Sequence, residues 1–377
     1  MNNTTKLGNF ISEYSVRNRA GDDIPVYSVT NKEGFCRDYF SKDVASQERS
    51  TYKIVPRGCF AYNPSRINVG SVDWQRKEDR VIVSPLYVVF SVSKELDQQY
   101  LYYYLKSEKC LYYIKELASG SVRDNLKLSM LKEFTIPNIT LEEQRKAVTV
   151  LEQTDRLITL QERQMTVLDE LVKSRFVEMF GEQKANPKGL PVARLSEVTD
   201  ISLGLTHTPT YVSEGKPFLS VRDISSGIID FSNCHYITDR EFNSLPNGAK
   251  PREGDILFCR VGTIGKPVVI PKGTPEFGTF VSVGYLRKKD NMTNCYLKAW
   301  MEDDYFMQQV LDNVSGASQI NLNTGWLKNF QILLPDLEMQ TRFEVFCNQV
   351  DKSKLAVKQS LEKLETLKKS LMQQYFG

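Results

Sequence analysis

A stretch of forty-one residues occurs twice in this chain, and the two copies fix most of what the chain can fold into. Residues 141–181 (LEEQRKAVTVLEQTDRLITLQERQMTVLDELVKSRFVEMFG) align without a gap on residues 337–377 (LEMQTRFEVFCNQVDKSKLAVKQSLEKLETLKKSLMQQYFG) at an offset of 196 positions. Leu141, Glu142 and Gln144 fall on Leu337, Glu338 and Gln340, and Gln153 and Asp155 fall on Gln349 and Asp351. Leu168, Leu171, Lys173, Ser174, Phe180 and Gly181 fall on Leu364, Leu367, Lys369, Ser370, Phe376 and Gly377. A fixed internal offset marks one structural unit used twice. Here the unit is too long for a solenoid repeat, so it is a whole domain plus a helix.

Both copies predict long helices. Leu151, Ile158, Met165, Val172 and Met179 are apolar at a spacing of seven, with Val148, Leu168 and Leu171 beside them. Val350, Val357, Leu364 and Leu371 repeat that spacing, flanked by Phe343, Phe346 and Leu361. Seven-residue spacing without interior Pro or Gly is the pattern of a coiled-coil seam. Thr140 followed by Glu143 is a capping-box pattern, and Asp336 can cap the second helix. Gly181 and Gly377, each just past a Phe, are the expected stops. Forty residues at about 1.5 Å each give a rod of about 60 Å. Such a rod must bury its stripe, and the nearest partner is its own copy.

The organisation that follows is a first globular block (1–140), a central spacer helix (141–181), a linker (182–194), a second block (195–336) and a C-terminal spacer helix (337–377). The linker holds two prolines and a glycine. In the first block the runs IPVYSVTN (24–31), YKIVPRGCFAYNP (52–64) and VIVSPLYVVFSV (81–92) alternate with turn signals. The second and third predict strands, the third nearly continuous and buried. Residues 94–120 place Tyr, Leu and Ile at helical spacing, and the tyrosines there read as core and cover. The offset persists between the blocks: Gly58 meets Gly254, Tyr100-Leu101 meets Tyr296-Leu297, Ser119-Gly120 meets Ser315-Gly316, Asn125-Leu126 meets Asn321-Leu322 and Leu131-Lys132 meets Leu327-Lys328. Between these anchors the blocks hardly match. The fold class is therefore α+β, with two similar α/β blocks, each followed by a long helix, and the helices pairing as an antiparallel coiled coil. A repeated framework with a diverged interior suits two copies that hold different ligands.

Catalytic signatures are weak. Gly262-Thr263-Ile264-Gly265-Lys266 lacks the glycine spacing and the hydroxyl of a phosphate-binding loop and predicts a turn. Asn63-Pro64-Ser65-Arg66 lacks the second proline and the aromatic of an amino-methyltransferase motif, and Asp336…Gln340 lacks a nuclease lysine. His207 and His235 have no neighbours at metal spacing, so no metal site is expected. Seven cysteines without C-x-x-C argue against a disulfide framework and a zinc site, and for a reduced cytoplasmic protein. No apolar run is long enough for a membrane span. With a net charge of only +3, nucleic-acid binding would have to come from local patches.

Such patches are present in loops mixing Asn, Ser, Arg, Lys and Tyr. The candidates in the first block are Tyr27, Asn31, Lys32, Tyr62, Asn63, Ser65, Arg66, Asn68, Arg123, Asn125 and Lys127. Those in the second are His207, Arg222, Arg260, Lys266, Gln319, Asn321 and Asn323. Arg and Lys offer donors to guanine, Asn and Gln match adenine, and lysines position phosphates. Residue types alone also leave open an unrecognised methyltransferase or nuclease site, and a coiled-coil scaffold whose blocks bind proteins.

Taken together, VYSVTNKEGF, YKIVPRGCFAYNPSRINVG, VSPLYVVF, FLSVRDI, PREGDILF, SGASQINLN, LPDLEMQ and IPNITLEEQ resemble the specificity subunit of type I restriction–modification systems, over essentially the full chain. The resemblance implies that each block is a target-recognition domain reading one half of a bipartite double-stranded DNA target. It implies that the paired helices set the gap between the halves, and that this chain carries no catalytic residue and no cofactor. The expected partners are two methylation subunits that bind S-adenosylmethionine, and restriction subunits that use ATP and magnesium to translocate and cleave DNA. Some members of that family begin with a long helical segment, whereas here Leu7-Gly8 is expected to start the first domain.

Overall fold

A computed structural model describes residues 4–37, 49–118, 125–313 and 320–377. The chain forms two compact units, one of Met1–Glu162 with Gln359–Gly377, the other of Arg163–Lys358.

The first unit is built on an antiparallel sheet in the order Ile11–Glu13, Val88–Val92, Phe60–Tyr62, Val72–Trp74. Side chains alternate across a strand, and here both faces are covered. Phe60, Tyr62 and Phe90 point into a core with Tyr100, Leu101, Tyr104 and Ile114 of the helices. Ala61 and Val89 point the other way, into a core with Val55, Val81 and Val83. Those last residues belong to a second small sheet, Lys53–Pro56 against Arg80–Val83. The run 81–92, expected as one nearly continuous strand, is therefore two strands in two sheets. Ser84-Pro85 breaks it, because Pro has no N–H for a ladder, and Tyr87 N closes the turn on Ser84 O at 3.0 Å. The run 52–64 is divided the same way at Gly58, whose φ is +86°. Of the run 24–31 only Ser28–Thr30 is strand, in a hairpin with Gly34–Cys36.

Residues 94–120 hold two helices, Gln98–Leu105 and Glu108–Ala118. Asp97 caps the first through Gln99 N and Tyr100 N, and Ser107 Oγ accepts from Cys110 N (3.2 Å) at the start of the second. Tyr100, Tyr103 and Tyr104 are core, whereas Tyr112 and Tyr113 are 60% and 44% exposed.

The second unit repeats the plan in the order Thr199–Leu203, Val283–Lys288, Ile256–Cys259, Gly265–Val269. Ile256, Phe258 and Leu286 face helical residues Tyr296, Leu297 and Trp300, and Leu257, Cys259 and Tyr285 face the opposite core. From Phe60–Tyr62 onward the elements recur at the offset read from the sequence: Ile256–Cys259 for that strand, Asn294–Met301 for Gln98–Leu105, and Gln331–Leu333 for Thr135–Pro137. Nearer each unit's start they do not, since Thr4–Lys6 recurs as Val192–Arg194, eight residues short of it. The units differ in between, where the second has a three-stranded sheet of His235–Ile237, Lys216–Leu219 and Gly278–Thr279. Val192–Arg194 pairs with Gln331–Leu333, so the expected linker 182–194 ends earlier and its last residues belong to the second block.

The long helices are Leu141–Phe180 and Leu337–Phe376. Thr140 and Glu143 form the expected reciprocal cap, and Asp336 Oδ1 accepts from Met339 N at 2.7 Å. In the first unit Ala147, Val148 and Leu151 share a core with Leu371, Met372 and Phe376, and Lys368 pairs with Asp155. In the second, Phe176, Met179 and Phe180 pack with Phe343 and Cys347, and Lys354 pairs with Asp169 at 2.6 Å. Of the expected seam, Leu151, Val350 and Val357 are buried, while Ile158, Met165, Val172, Leu364 and Leu371 are half-buried. Leu171, expected beside the stripe, is 45% exposed.

Candidate nucleic-acid interface

Most of the described candidate residues gather at one end of each sheet. In the first unit, strand Phe60–Tyr62 runs into a turn and the 3-10 helix Ile67–Val69. Asn63 Oδ1 shapes that turn by accepting from Ser65 N (3.1 Å) and Ser65 Oγ (2.8 Å), an Asx-turn that fixes the loop without help from outside. Ile67 is buried beneath, which leaves Ser65, Arg66 and Asn68 exposed. Asn31, Asn63 and Arg66 line one small cavity with Ser28, Thr30 and Ser71. Lys32 is exposed beside Asn31. Leu126 N donates to Pro64 O at 3.2 Å, which brings exposed Asn125 and Lys127 alongside.

Two candidates point inward. Tyr62 is fully buried and donates its hydroxyl to Leu126 O at 3.0 Å. Burial pushes that hydroxyl well above the ordinary tyrosine range. Tyr27 is 6% exposed in the core with Val29 and Phe35. Neither reads a base from there: strand alternation turns the Tyr62 ring into the interior, and Tyr27, one residue before strand Ser28–Thr30, is packed in the core. Arg123 lies outside the described residues.

In the second unit, Leu203, Val283, Cys259 and Gly265 close the corresponding end of the sheet. Leu205 N donates to Thr279 O (2.7 Å) and Val281 N to Leu205 O (2.8 Å), carrying exposed His207 to this end. Leu322 N donates to Arg260 O at 2.9 Å. That bond is the counterpart of Leu126 to Pro64 at the repeat offset. The Arg260 guanidinium is occupied: Nε donates to Leu322 O (2.9 Å), Nη1 to Val281 O (2.8 Å) and Nη2 to Asn321 Oδ1 (3.3 Å). Its partial burial lowers its proton affinity from the usual arginine value. Arg260, expected to read bases, is thus a clamp that positions exposed Asn321. The carbonyl held by Tyr62 in the first unit is held by Arg260 in the second.

Asn323 also has a structural role, since its Oδ1 accepts from Gly325 N at 2.7 Å and caps the short helix Thr324–Leu327. Lys266 is exposed just after the turn predicted there, and lines a groove with Lys173, Lys298 and Lys354. Gln319 lies outside the described residues.

Arg222 is exposed on the 3-10 helix Val221–Asp223. This turn is rigid: Asp223 Oδ2 accepts from Ser220 N (2.6 Å) and Ser220 Oγ (2.9 Å). Val221 N donates to Ser282 Oγ at 3.3 Å, fastening the turn to the segment that Arg260 also holds. Arg222 Nη2 lies 3.2 Å from His235 Nε2, and the His235 ring stacks on Tyr211 at 4.1 Å. Sequence reasoning missed Tyr211 and His235 as a pair, because the pairing follows from the strand register and no local spacing announces it. Among the described residues no group of three or more His, Cys, Asp or Glu is placed to hold a metal ion, and no helix is long and apolar enough to cross a membrane.

Residues 8–170 match the family model described as type I restriction modification DNA specificity domain. The type I restriction enzyme MjaIX specificity subunit of Methanocaldococcus jannaschii is 25% identical over 273 residues, 65% of this chain and 60% of that protein. The chain thus spans less than two thirds of that relative's length. Among solved structures, a chain from work on complex assembly and conformational transition of the type I R-M system has a TM-score of 0.62 at 18% identity, covering 99% of this chain and 97% of that one. The type I restriction-modification system S subunit from M. genitalium has a TM-score of 0.55 at 14% identity, covering 99% and 96%. These two likenesses establish a shared fold. The resemblance read from the sequence stands: residues 8–170 match the type I restriction modification DNA specificity domain, and the chain is similar to the specificity subunits of such systems.

Proposed function

We propose that this chain is the DNA sequence-recognition subunit of a type I restriction–modification complex. Each unit reads one half of a bipartite double-stranded target through the loop end of its sheet. The observation that carries this reading is the pairing of a repeated scaffold with diverged loop ends: the same Leu126 and Leu322 segments are fixed at the same sheet end by different side chains. Asn31, Lys32, Ser65, Arg66, Asn68, Asn125 and Lys127 form the reading face of the first unit, and His207, Arg222 and Asn321 that of the second.

The paired helices set the gap. Asp155 pairs with Lys368 and Asp169 with Lys354, so fourteen residues forward on one helix match fourteen back on the other. That relation supports antiparallel pairing in the heptad register. Exposed Val150, Leu157 and Leu160 on the first helix offer apolar surface to partner subunits. Those partners are two methylation subunits with S-adenosylmethionine, and restriction subunits with ATP and magnesium, and this chain works with them in the cytoplasm. This chain itself performs no chemistry and holds no cofactor.

The test is to co-express the chain with the adenine-methylating subunit encoded beside it and to map modified adenines across the host genome. A single bipartite motif with a fixed gap is expected. Modification at a one-part motif would reduce one unit to a structural role. An assembled complex that modifies nothing would overturn the reading in favour of a protein-binding scaffold.

A further inference from the structure

Arg222 differs from Arg260 in what its guanidinium has left to offer. Arg260 gives all three of its nitrogens to protein acceptors. Arg222 spends one hydrogen of Nη2 on His235, and its Nε and Nη1 have no partner among the described residues. A guanidinium carries five hydrogens in a planar fork, so one complete two-donor edge remains whichever Nη2 hydrogen is used. Its orientation is also set. A guanidinium has no acceptor, so His235 Nε2 must be the acceptor and the ring proton sits on Nδ1. The ring is in turn held by its stack on Tyr211, 15° from parallel. Tyr211 is tied in by Val212 N, which donates to Tyr236 O at 2.9 Å, and its ring also meets buried Phe218. At the other end the arginine's backbone is fixed by the Ser220–Asp223 cap. Both ends of a long flexible side chain are thereby restrained, on an exposed surface.

We propose that Arg222 reads a guanine in the half-site of the second unit, with His235 and Tyr211 as its positioning residues. The inference rests on the DNA-recognition reading above. Guanine presents O6 and N7 as adjacent acceptors in the major groove, which a two-donor edge matches; the same fork also fits a phosphate, and the position-by-position test below separates the two. Pre-orienting the fork removes rotamer entropy that binding would otherwise cost. The first unit has no counterpart of this device, because the three-stranded sheet carrying His235 is absent from its described residues. The effect should therefore be confined to one half of the target.

The experiment measures methylation rates by the assembled complex on a pool of DNA duplexes in which every position of the mapped motif is varied singly. For Arg222→Ala, discrimination for guanine at one position of one half should fall on the order of tenfold, with the other half unchanged. Tyr211→Ala and His235→Ala should weaken the preference at that same position by less, and Tyr211→Phe, which keeps the stack, should restore it. A uniform loss of rate on all duplexes with Arg222→Ala would make the residue a phosphate contact and overturn the proposal. So would an unchanged preference. A wild-type complex with no bipartite preference would instead overturn the functional reading itself.

Discussion

Gln144 and Gln340 do the same work in the two units. Gln144 Oε1 accepts from Asp97 N (2.8 Å), while its Nε2 donates to Glu95 O (3.2 Å) and Ile139 O (3.1 Å). Gln340 Oε1 accepts from Thr293 N (2.8 Å), and its Nε2 donates to Asn291 O (3.1 Å) and Pro335 O (2.9 Å). Each is buried and bonds three backbone groups in two segments where a long helix leaves its domain. Removing such a side chain leaves backbone groups unsatisfied, at about 1–3 kcal/mol for a buried group. Gln144→Ala is therefore expected to lower stability by about 2 kcal/mol, a drop of several degrees in melting temperature. Calorimetry checks this, and an unchanged melting temperature would show that solvent replaces the bonds. The sequence alignment already matched these two glutamines, but their role as joints required the backbone around them.

At the scale of elements, what the sequence made legible was whatever is locally periodic. The long helices, the Thr140–Glu143 and Asp336 caps and the glycine stop at Gly181, with φ of +80°, are all found where spacing put them. What it hid was pairing over distance. The run 81–92 reads as one strand because both of its halves are buried, yet the halves serve different sheets. Tyr62 and Arg260 read as exposed polar candidates, yet Tyr62 is consumed by Leu126 O, and Arg260 by Leu322 O, Val281 O and Asn321 Oδ1, all far along the chain. The eight-residue slip near the start of each unit was invisible because anchors were found only beyond it. The paired helices carry the proposal that they set the gap. Inserting one heptad into both is expected to lengthen the unread gap by about three base pairs, since seven residues rise about 10.5 Å against 3.4 Å per base pair. Methylation mapping of the lengthened chain reads this out, and an unaltered gap would remove the ruler.

On the scale of the molecule, each unit draws on distant parts of the chain. Phe376 is 1% exposed and sits against Tyr100 at 4.9 Å and Tyr104 at 6.1 Å. Phe180 holds the matching place against Tyr296, at 4.7 Å. Truncating a buried Phe to Ala costs about 3–5 kcal/mol. Phe376→Ala should therefore reduce hydrogen-exchange protection in helix Gln98–Leu105, and Phe180→Ala in Asn294–Met301, each leaving the other unit less affected. Equal loss in both would mean that the units unfold as one. A ribosome meets this arrangement in order. The first unit's residues up to Glu162 emerge about 215 residues before Gly377. At roughly 5–20 residues per second that is a wait of about 10–40 s. Throughout it the aromatic floor at Tyr100 and Tyr104 lacks its lid, and exposed apolar surface of that kind favours aggregation. The unit made first is the one completed last.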